Sequence, residues 1–138
     1  MSWDVLVQDL PPDAASIGDI PDDFEPQPIG SRSWILAGIR AVVPFADLSR
    51  ADQVSIVGED FAIEIGLPAG DEIESFAFHA SGGDMAASVI ADILGHLRLR
   101  ALDPASPTGI FSPGPGAVEG LRRWRAYRDG VVGGAGRE

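Results

Sequence analysis

Alternating apolar and polar residues mark the first element of the chain. Trp3, Val5 and Val7 occupy every second position of the segment 3–8. Successive side chains of a strand point to opposite faces, so this spacing predicts a strand with one buried face. The strand must end before Pro11, because proline has no N–H to donate to a sheet ladder.

The segment 11–30 is polar and is interrupted repeatedly by proline. It contains five prolines, five acidic residues and few apolar ones. This composition predicts an irregular connection that is anchored on the core by Ile17, Ile20 and Phe24. A connection of this length is uncommon inside a small domain unless it contributes to function.

Two segments carry apolar residues at the spacing of a buried helix face. The first begins at Ser31, a residue type that caps helix N-termini, and ends before Pro44. Its apolar residues are Ile35, Leu36, Ile39, Val42 and Val43. The second follows Gly82 and Gly83, and its apolar residues are Ala86, Val89, Ile90, Ile93, Leu94 and Leu97.

The pair Gly82-Gly83 invites two interpretations. Glycines before a helix can present free N–H groups to a phosphate. The spacing of a dinucleotide-binding fingerprint or a Walker loop is not found here, however, and Asp84 would repel an anion. A backbone turn that requires glycine is the better interpretation.

The residues between the two helices predict a β-meander. The predicted strands are residues 53–57, 61–67 and 73–80, and the predicted turn between the last two is 68–72. A final edge strand is predicted over 98–102. Residues 104–116 are rich in Pro, Gly and Ser, which is typical of a linker.

The aromatic residues of this meander suggest how its strands pair. Phe76 and Phe78 share one strand face, and His79 lies on the other. If the apolar faces of the two strands are buried together, Ile63 lies opposite Phe78. Glu64 then lies opposite Ala77 and diagonal to His79.

The predicted order of elements is β-α-β-β-β-α-β. The simplest packing of this order is an α+β, two-layer sandwich of the ferredoxin-like kind. It has a mostly antiparallel sheet covered on one face by two helices. We expect an acidic domain over residues 1–112, followed over 113–138 by a Pro/Gly linker and an Arg-rich tail that is a short helix or disordered.

The net charge of −11 is distributed unevenly. Residues 1–112 contain 18 acidic residues and five arginines, which gives a net charge of −13. Residues 113–138 contain three acidic residues and five arginines, which gives a net charge of +2. The acidic segment 1–112 repels nucleic-acid phosphates and anionic membranes, and we expect neither to be its partner. It favours a basic protein, whose approach it would accelerate.

The cellular setting follows from what the sequence lacks. There is no cysteine, which excludes disulfides and thiolate metal sites. The first residues lack the pattern of a secretory signal, and no apolar stretch approaches the roughly 20 residues that span a bilayer. We expect a cytoplasmic protein, and its arginine-only, Ala-, Gly- and Pro-rich composition is typical of a bacterial, GC-rich genome.

One group of polar residues could carry acid–base chemistry. If the first strand lies near the meander, then Asp4, Gln8, Glu64 and His79 form one patch on the outer face of the sheet. A carboxylate beside an imidazole can transfer protons or contribute to a metal site. The simpler interpretation is a solvated strand face, and a single histidine falls short of the three or four ligands typical of zinc.

Two further segments could bind a partner. In the acidic loop, Asp22, Asp23 and Glu25 surround Phe24, and an arginine-bearing protein could bind there; alternatively Phe24 belongs to the core and the loop is solvated. The tail interleaves arginines with Trp124 and Tyr127. It could dock on the acidic body of its own or a second copy, giving a homo-oligomer, remain disordered, or bind an external anion.

Several motifs together resemble those of a group of small bacterial proteins of unassigned function. The segments that carry the resemblance are Trp3–Pro11, Ile20–Phe24 and Ser75–Asp84. The resemblance covers roughly residues 1–112. It implies a self-contained domain that ends near Phe111, and it supplies no catalytic residues.

The sequence therefore favours a non-enzymatic interaction domain that binds a basic protein, in the manner of an immunity or inhibitor protein. The alternative is a small enzyme or metal-binding protein that uses Glu64 and His79. No motif calls for a cofactor, and the enzyme question stays open.

Overall fold

The computed structural model describes residues 3–111. The segments in which apolar and polar residues alternate form the strands of its sheet. In chain order the elements are β1 (Trp3–Gln8), a 3₁₀ turn (Ile17–Asp19), β2 (Gly30–Ser31), α1 (Arg32–Val42), β3 (Gln53–Val57), β4 (Phe61–Gly66), β5 (Glu72–Ile73), β6 (Ser75–Gly82), α2 (Met85–Leu97) and β7 (Ala101–Leu102). Five strands form one sheet in the order β3-β4-β6-β1-β7, with every neighbouring pair antiparallel. The predicted α+β two-layer fold is confirmed. The expectations for the 113–138 tail lie outside the described residues.

One face of the sheet is buried against the two helices. The inward residues of β1, β4 and β6 have exposures of 2% or less, and they are Trp3, Val5, Val7, Ile63, Ile65, Phe76, Phe78 and Ala80. Phe61, the first residue of β4, is only partly buried and packs against this core. Among residues 3–111 no helix is long and apolar enough to cross a bilayer.

The two helices pack closely because a glycine faces the contact. A Cβ added to Gly38 of α1 would lie 2.3 Å from Cδ2 of Leu97 in α2. Ser31 caps α1 as predicted, since its side chain accepts the N–H of Trp34 at 3.2 Å. The helix ends at Val42, ahead of Pro44, as the sequence indicates.

The predicted register between β4 and β6 is wrong by two residues. Ile63 pairs with Ala80 and Ile65 with Phe78, so Glu64 lies directly opposite His79. The connection between these strands is longer than the predicted 68–72 turn, because β5 leaves the sheet and pairs with β2 in a separate two-stranded ribbon. A shift by an even number leaves every side chain on its predicted face.

The connection over 11–30 is anchored differently from the prediction. Ile17 is 58% exposed, and Ile20 and Phe24 are half-buried. The buried residues are Leu10 and Ala14 instead. Leu10 immediately precedes the connection and Ala14 lies near its start, a few residues after β1 ends.

Two arginines fasten loops by binding backbone carbonyls. Arg100 donates to the carbonyls of Pro11 and Ala14 at 2.6 and 2.5 Å. Arg32, the first residue of α1, donates from Nε to the carbonyl of Gly70 at 2.9 Å and from its two terminal nitrogens to the carbonyls of Ala51 and Pro68. The planar guanidinium can serve several acceptors at once, so each arginine holds separate loops together.

The chain beyond α2 is more ordered than its composition suggests. Arg98 takes a left-handed conformation with φ 56° and ends α2, so the predicted 98–102 strand shortens to 101–102. The predicted linker begins later than residue 104, because Phe111 is buried and its ring centroid lies 6.1 Å from that of Trp3.

Asp103 holds this last segment in place. Its Oδ1 accepts the indole N–H of Trp3 and the backbone N–H of Ala105, both at 2.9 Å, and the residue is 1% exposed. Burial raises the pKa of this carboxyl, while its hydrogen bonds with Trp3 and Ala105 lower it less. The sequence offers no periodic signal for this contact, because the partners are 100 residues apart.

Arg32→Ala should lower the free energy of unfolding by about 2 kcal/mol or more, because it deletes three charge-assisted bonds to carbonyls. Arg32→Lys should recover only part of this loss, since an ammonium cannot reproduce the planar fork. Arg40→Ala, an exposed change on the same helix, is the control. Urea denaturation measures all three, and equal losses for Arg32→Ala and Arg40→Ala would contradict the fastening role.

Asp103→Ala should cost about 1–3 kcal/mol, because it leaves two buried N–H groups unpaired. Asp103→Asn keeps the acceptor and removes the titration. A raised pKa in the folded state means that this group adds stability below its unfolded pKa and loses that contribution as the pH rises through the folded pKa. The wild type should therefore gain stability relative to Asp103→Asn as the pH falls from 7 towards about 4. Urea denaturation at several pH values measures this difference in stability. The opposite trend would mean that folding lowers the pKa of Asp103.

Candidate functional site

A row of polar side chains crosses the outer face of the sheet. Ser55 lies opposite Glu64, Glu64 opposite His79, and His79 opposite Asp4. The neighbours of these residues along each strand point inward, so the row points outward. Glu64 and Asp4 thus flank His79 from the two adjacent strands.

His79 is bonded to Asp4. Its Nδ1 lies 2.8 Å from Oδ1 of Asp4, and the side chains are 45% and 58% exposed. An ionised carboxylate only accepts, so Nδ1 carries the proton in this bond. A pair exposed to this degree contributes at most about 1 kcal/mol.

Gln8 does not belong to this row. It pairs with Ser75, and the Leu6–Ala77 pair separates it from Asp4 and His79. Four strand residues correspond to a separation of about 13 Å. The structure therefore brings together three of the four residues of the predicted patch.

The setting of the row limits its chemistry. Three grooves of about 480, 520 and 430 Å³ indent the described surface, and Asp4, Glu64 and His79 line none of the three. Across residues 3–111 no three His, Asp or Glu side chains are grouped so that they could hold a metal ion. The row provides an acid–base pair on an open strand face, where water screens each charge.

The acidic loop is followed along the chain by a strand that pairs with a second acidic segment. Asp22, Asp23 and Glu25 are exposed, and Phe24 is half-buried. The β2–β5 ribbon pairs Ser31 with Glu72, and the N–H of Ile29 donates to the carbonyl of Ile73 at 2.8 Å. The chain that follows the loop thus runs beside residues 71–73. We call these two acidic segments together the acidic edge and define it as Asp22, Asp23, Phe24, Glu25, Asp71 and Glu72.

An exposed tryptophan stands beside the acidic edge. Trp34, in the first turn of α1, is 46% exposed and packs its ring against Gly30, where a Cβ would lie 2.5 Å from the ring. Gly30 also lines the 430 Å³ groove, together with Asp71 and Glu72. The sequence could have indicated this residue, because Trp34 precedes the buried stripe of α1 and does not belong to it.

None of the ion pairs within residues 3–111 involves a carboxylate of the acidic edge. Arg32 begins α1 at this edge, and its guanidinium already donates to three carbonyls. Arg50 lies 3.5 Å from Asp52, which is outside the edge. The carboxylates of the edge therefore create a negative potential next to an exposed aromatic ring.

The Gly82–Gly83 turn serves the backbone, as the sequence favours. Gly82 has φ +96°, and a Cβ there would lie 2.2 Å from the carbonyl oxygen of Asp60. A Cβ on Gly83 would lie 2.3 Å from a carboxylate oxygen of Asp60. With Asp60 and Asp84 beside this turn, a phosphate would meet negative charge.

Adjacent residues of β6 should respond oppositely to truncation, which tests the assignment of the two faces. Phe78→Ala should cost about 3–5 kcal/mol, because it leaves a cavity in the core. His79→Ala should cost less than about 1 kcal/mol, because it removes only an exposed pair. Urea denaturation measures both, and a large loss for His79→Ala would mean that the row has a structural role.

Comparisons with protein-family models, with curated proteins and with solved structures give no match to this chain. The functional inference therefore rests on the described residues.

Proposed function

We propose that this domain is a non-enzymatic interaction domain that binds a basic protein through the acidic edge, in the manner of an immunity or inhibitor protein. The observation that carries the proposal is the exposed ring of Trp34 beside a groove walled by Asp71 and Glu72. Aromatic residues and charge complementarity are the features that concentrate binding energy and speed association at protein interfaces.

An arginine side chain fits this surface chemically. Its guanidinium can bond a carboxylate through two parallel N–H groups and can lie flat on an indole ring. Asp71 and Glu72 supply carboxylates, and Trp34 supplies the ring. A lysine would make only a point contact with the same groups.

The rest of the acidic edge extends this surface. Asp22, Asp23 and Glu25 add three exposed carboxylates on either side of half-buried Phe24. The N–H of Gln27 donates to Oδ2 of Asp9 at 3.0 Å and fastens the loop to the end of β1. A loop held in this way loses less conformational freedom on binding than a free one.

The alternative function places a small enzyme or metal-binding protein at Glu64 and His79. The 2.8 Å contact between His79 and Asp4 favours it. The open strand face around that contact weighs against it, because small-molecule sites are usually concave.

Matched variants of the full chain test the acidic edge. One triple variant combines Asp22→Asn, Asp23→Asn and Glu25→Gln, and its control combines Glu59→Gln, Glu64→Gln and Asp92→Asn elsewhere on the surface. Each triple changes the net charge of −11 by the same three units. Trp34→Ala is matched by Phe45→Ala, which truncates another exposed aromatic residue.

Each variant is titrated with the basic protein that the wild type captures from native lysate at low salt, and with a synthetic oligo-arginine peptide as a defined probe. The triple variant of the edge and Trp34→Ala should each weaken binding about tenfold or more, the equivalent of 1.4 kcal/mol. The two controls should change it little. Equal losses for edge and control variants, or capture of proteins that are not basic, would contradict the proposal.

A further inference from the structure

A groove of about 480 Å³ runs beside the last turns of α2, and none of the residues that line it belongs to the acidic edge. Its walls are mostly apolar and include Leu94, Leu99, Ile110 and Phe111, with small residues such as Ala91 between them. Small side chains leave room for another segment to approach the helix backbone closely. The groove is therefore suited in shape and chemistry to bind the apolar face of a helix.

Gly95 adds a separate indication of close approach. It lies within α2 and lines the groove, and a Cβ added there would have no atom of residues 3–111 within 4 Å. Glycine inside a helix costs about 1 kcal/mol relative to alanine. No described neighbour explains why alanine is not used, whereas a segment lying against the helix would.

The chain itself leaves the described domain at this groove. Phe111 is the last described residue and forms part of the wall. Further along, Val118, Leu121 and Trp124 recur at a spacing that the sequence predicts to be helical. Six residues lie between Phe111 and Val118, and the seven steps of the chain between them reach at most about 24 Å. So short a tether gives the segment a high effective concentration at the groove.

We propose that the segment 117–124 docks in this groove of its own chain, with Val118, Leu121 and Trp124 against the apolar walls. The charged side chains that line the groove are Arg98 and Arg100. Arg100 is occupied by the carbonyls of Pro11 and Ala14, and Arg98 can pair with Glu119 of the segment.

The absence of cysteine permits a direct test in the full chain. Ala126→Cys introduces one attachment point for a nitroxide spin label just after the docked segment. Broadening of amide NMR signals should then centre on Ala91, Leu99 and Ile110, relative to the same chain with a diamagnetic label. Mixing spin-labelled chain with ¹⁵N-labelled, unmodified chain separates docking within one molecule from docking between two.

Variants on both sides of the contact provide the controls. Leu121→Ala combined with Trp124→Ala should lower the docking equilibrium constant at least about tenfold, the equivalent of 1.4 kcal/mol. Gly95→Leu should do the same by filling the groove. It should not unfold the domain, because its side chain enters open space and leucine favours helix. Val131→Ala combined with Val132→Ala truncates apolar tail residues outside the segment and should leave the broadening unchanged.

Broadening that centres on the groove, persists in the valine control and is lost in the other two variants supports the proposal. Three results would overturn it: uniform or undetectable broadening, broadening centred on the acidic edge, or broadening seen in the mixed sample at the same strength. Persistence of the groove signal in Gly95→Leu would also overturn it. A failure here leaves the acidic edge untouched, because the two surfaces share no residue.

Discussion

The pairing of β1 with β6 is the contact on which the rest of the structure depends. It joins the N-terminal strand to a strand some 70 residues later, and its six residue pairs run from Trp3–Ala80 to Gln8–Ser75. Closing so long a loop costs conformational entropy, which the burial of Val5 and Val7 offsets. The same pairing makes β1 an interior strand, so β7 can add to its other side.

Several features follow from this pairing. It places Asp4 opposite His79, and it positions the indole of Trp3 to meet Asp103 from the far end of the domain. It also fixes the position at which the long connection leaves β1. The carbonyls of Pro11 and Ala14, at the start of that connection, accept hydrogen bonds from Arg100. The polar contacts that close the fold are therefore consequences of one apolar pairing.

The distribution of charge links the fold to its proposed activity. Arg32 and Arg100 serve as ties between loops, and their positive charge lies at carbonyls rather than at carboxylates. Because 18 acidic residues outnumber five arginines over residues 1–112, the net potential is negative and would attract a basic partner over a distance of roughly a Debye length. The acidic edge and the groove share no residue, so a partner and the tail would bind to different side chains.

The sequence by itself determined which residues of the longer strands and of the helices face the core, because strand and helix periods are local properties of the backbone. The α+β class, the start of α1 at Ser31 and the outward position of His79 could all be predicted in this way. Only the tertiary structure decided the β4–β6 register, the β2–β5 ribbon, the separation of Gln8 from the polar row and the Trp3–Asp103 bond. These depend on pairings between distant segments, and no local pattern of apolar residues encodes which distant strand or side chain will be the partner.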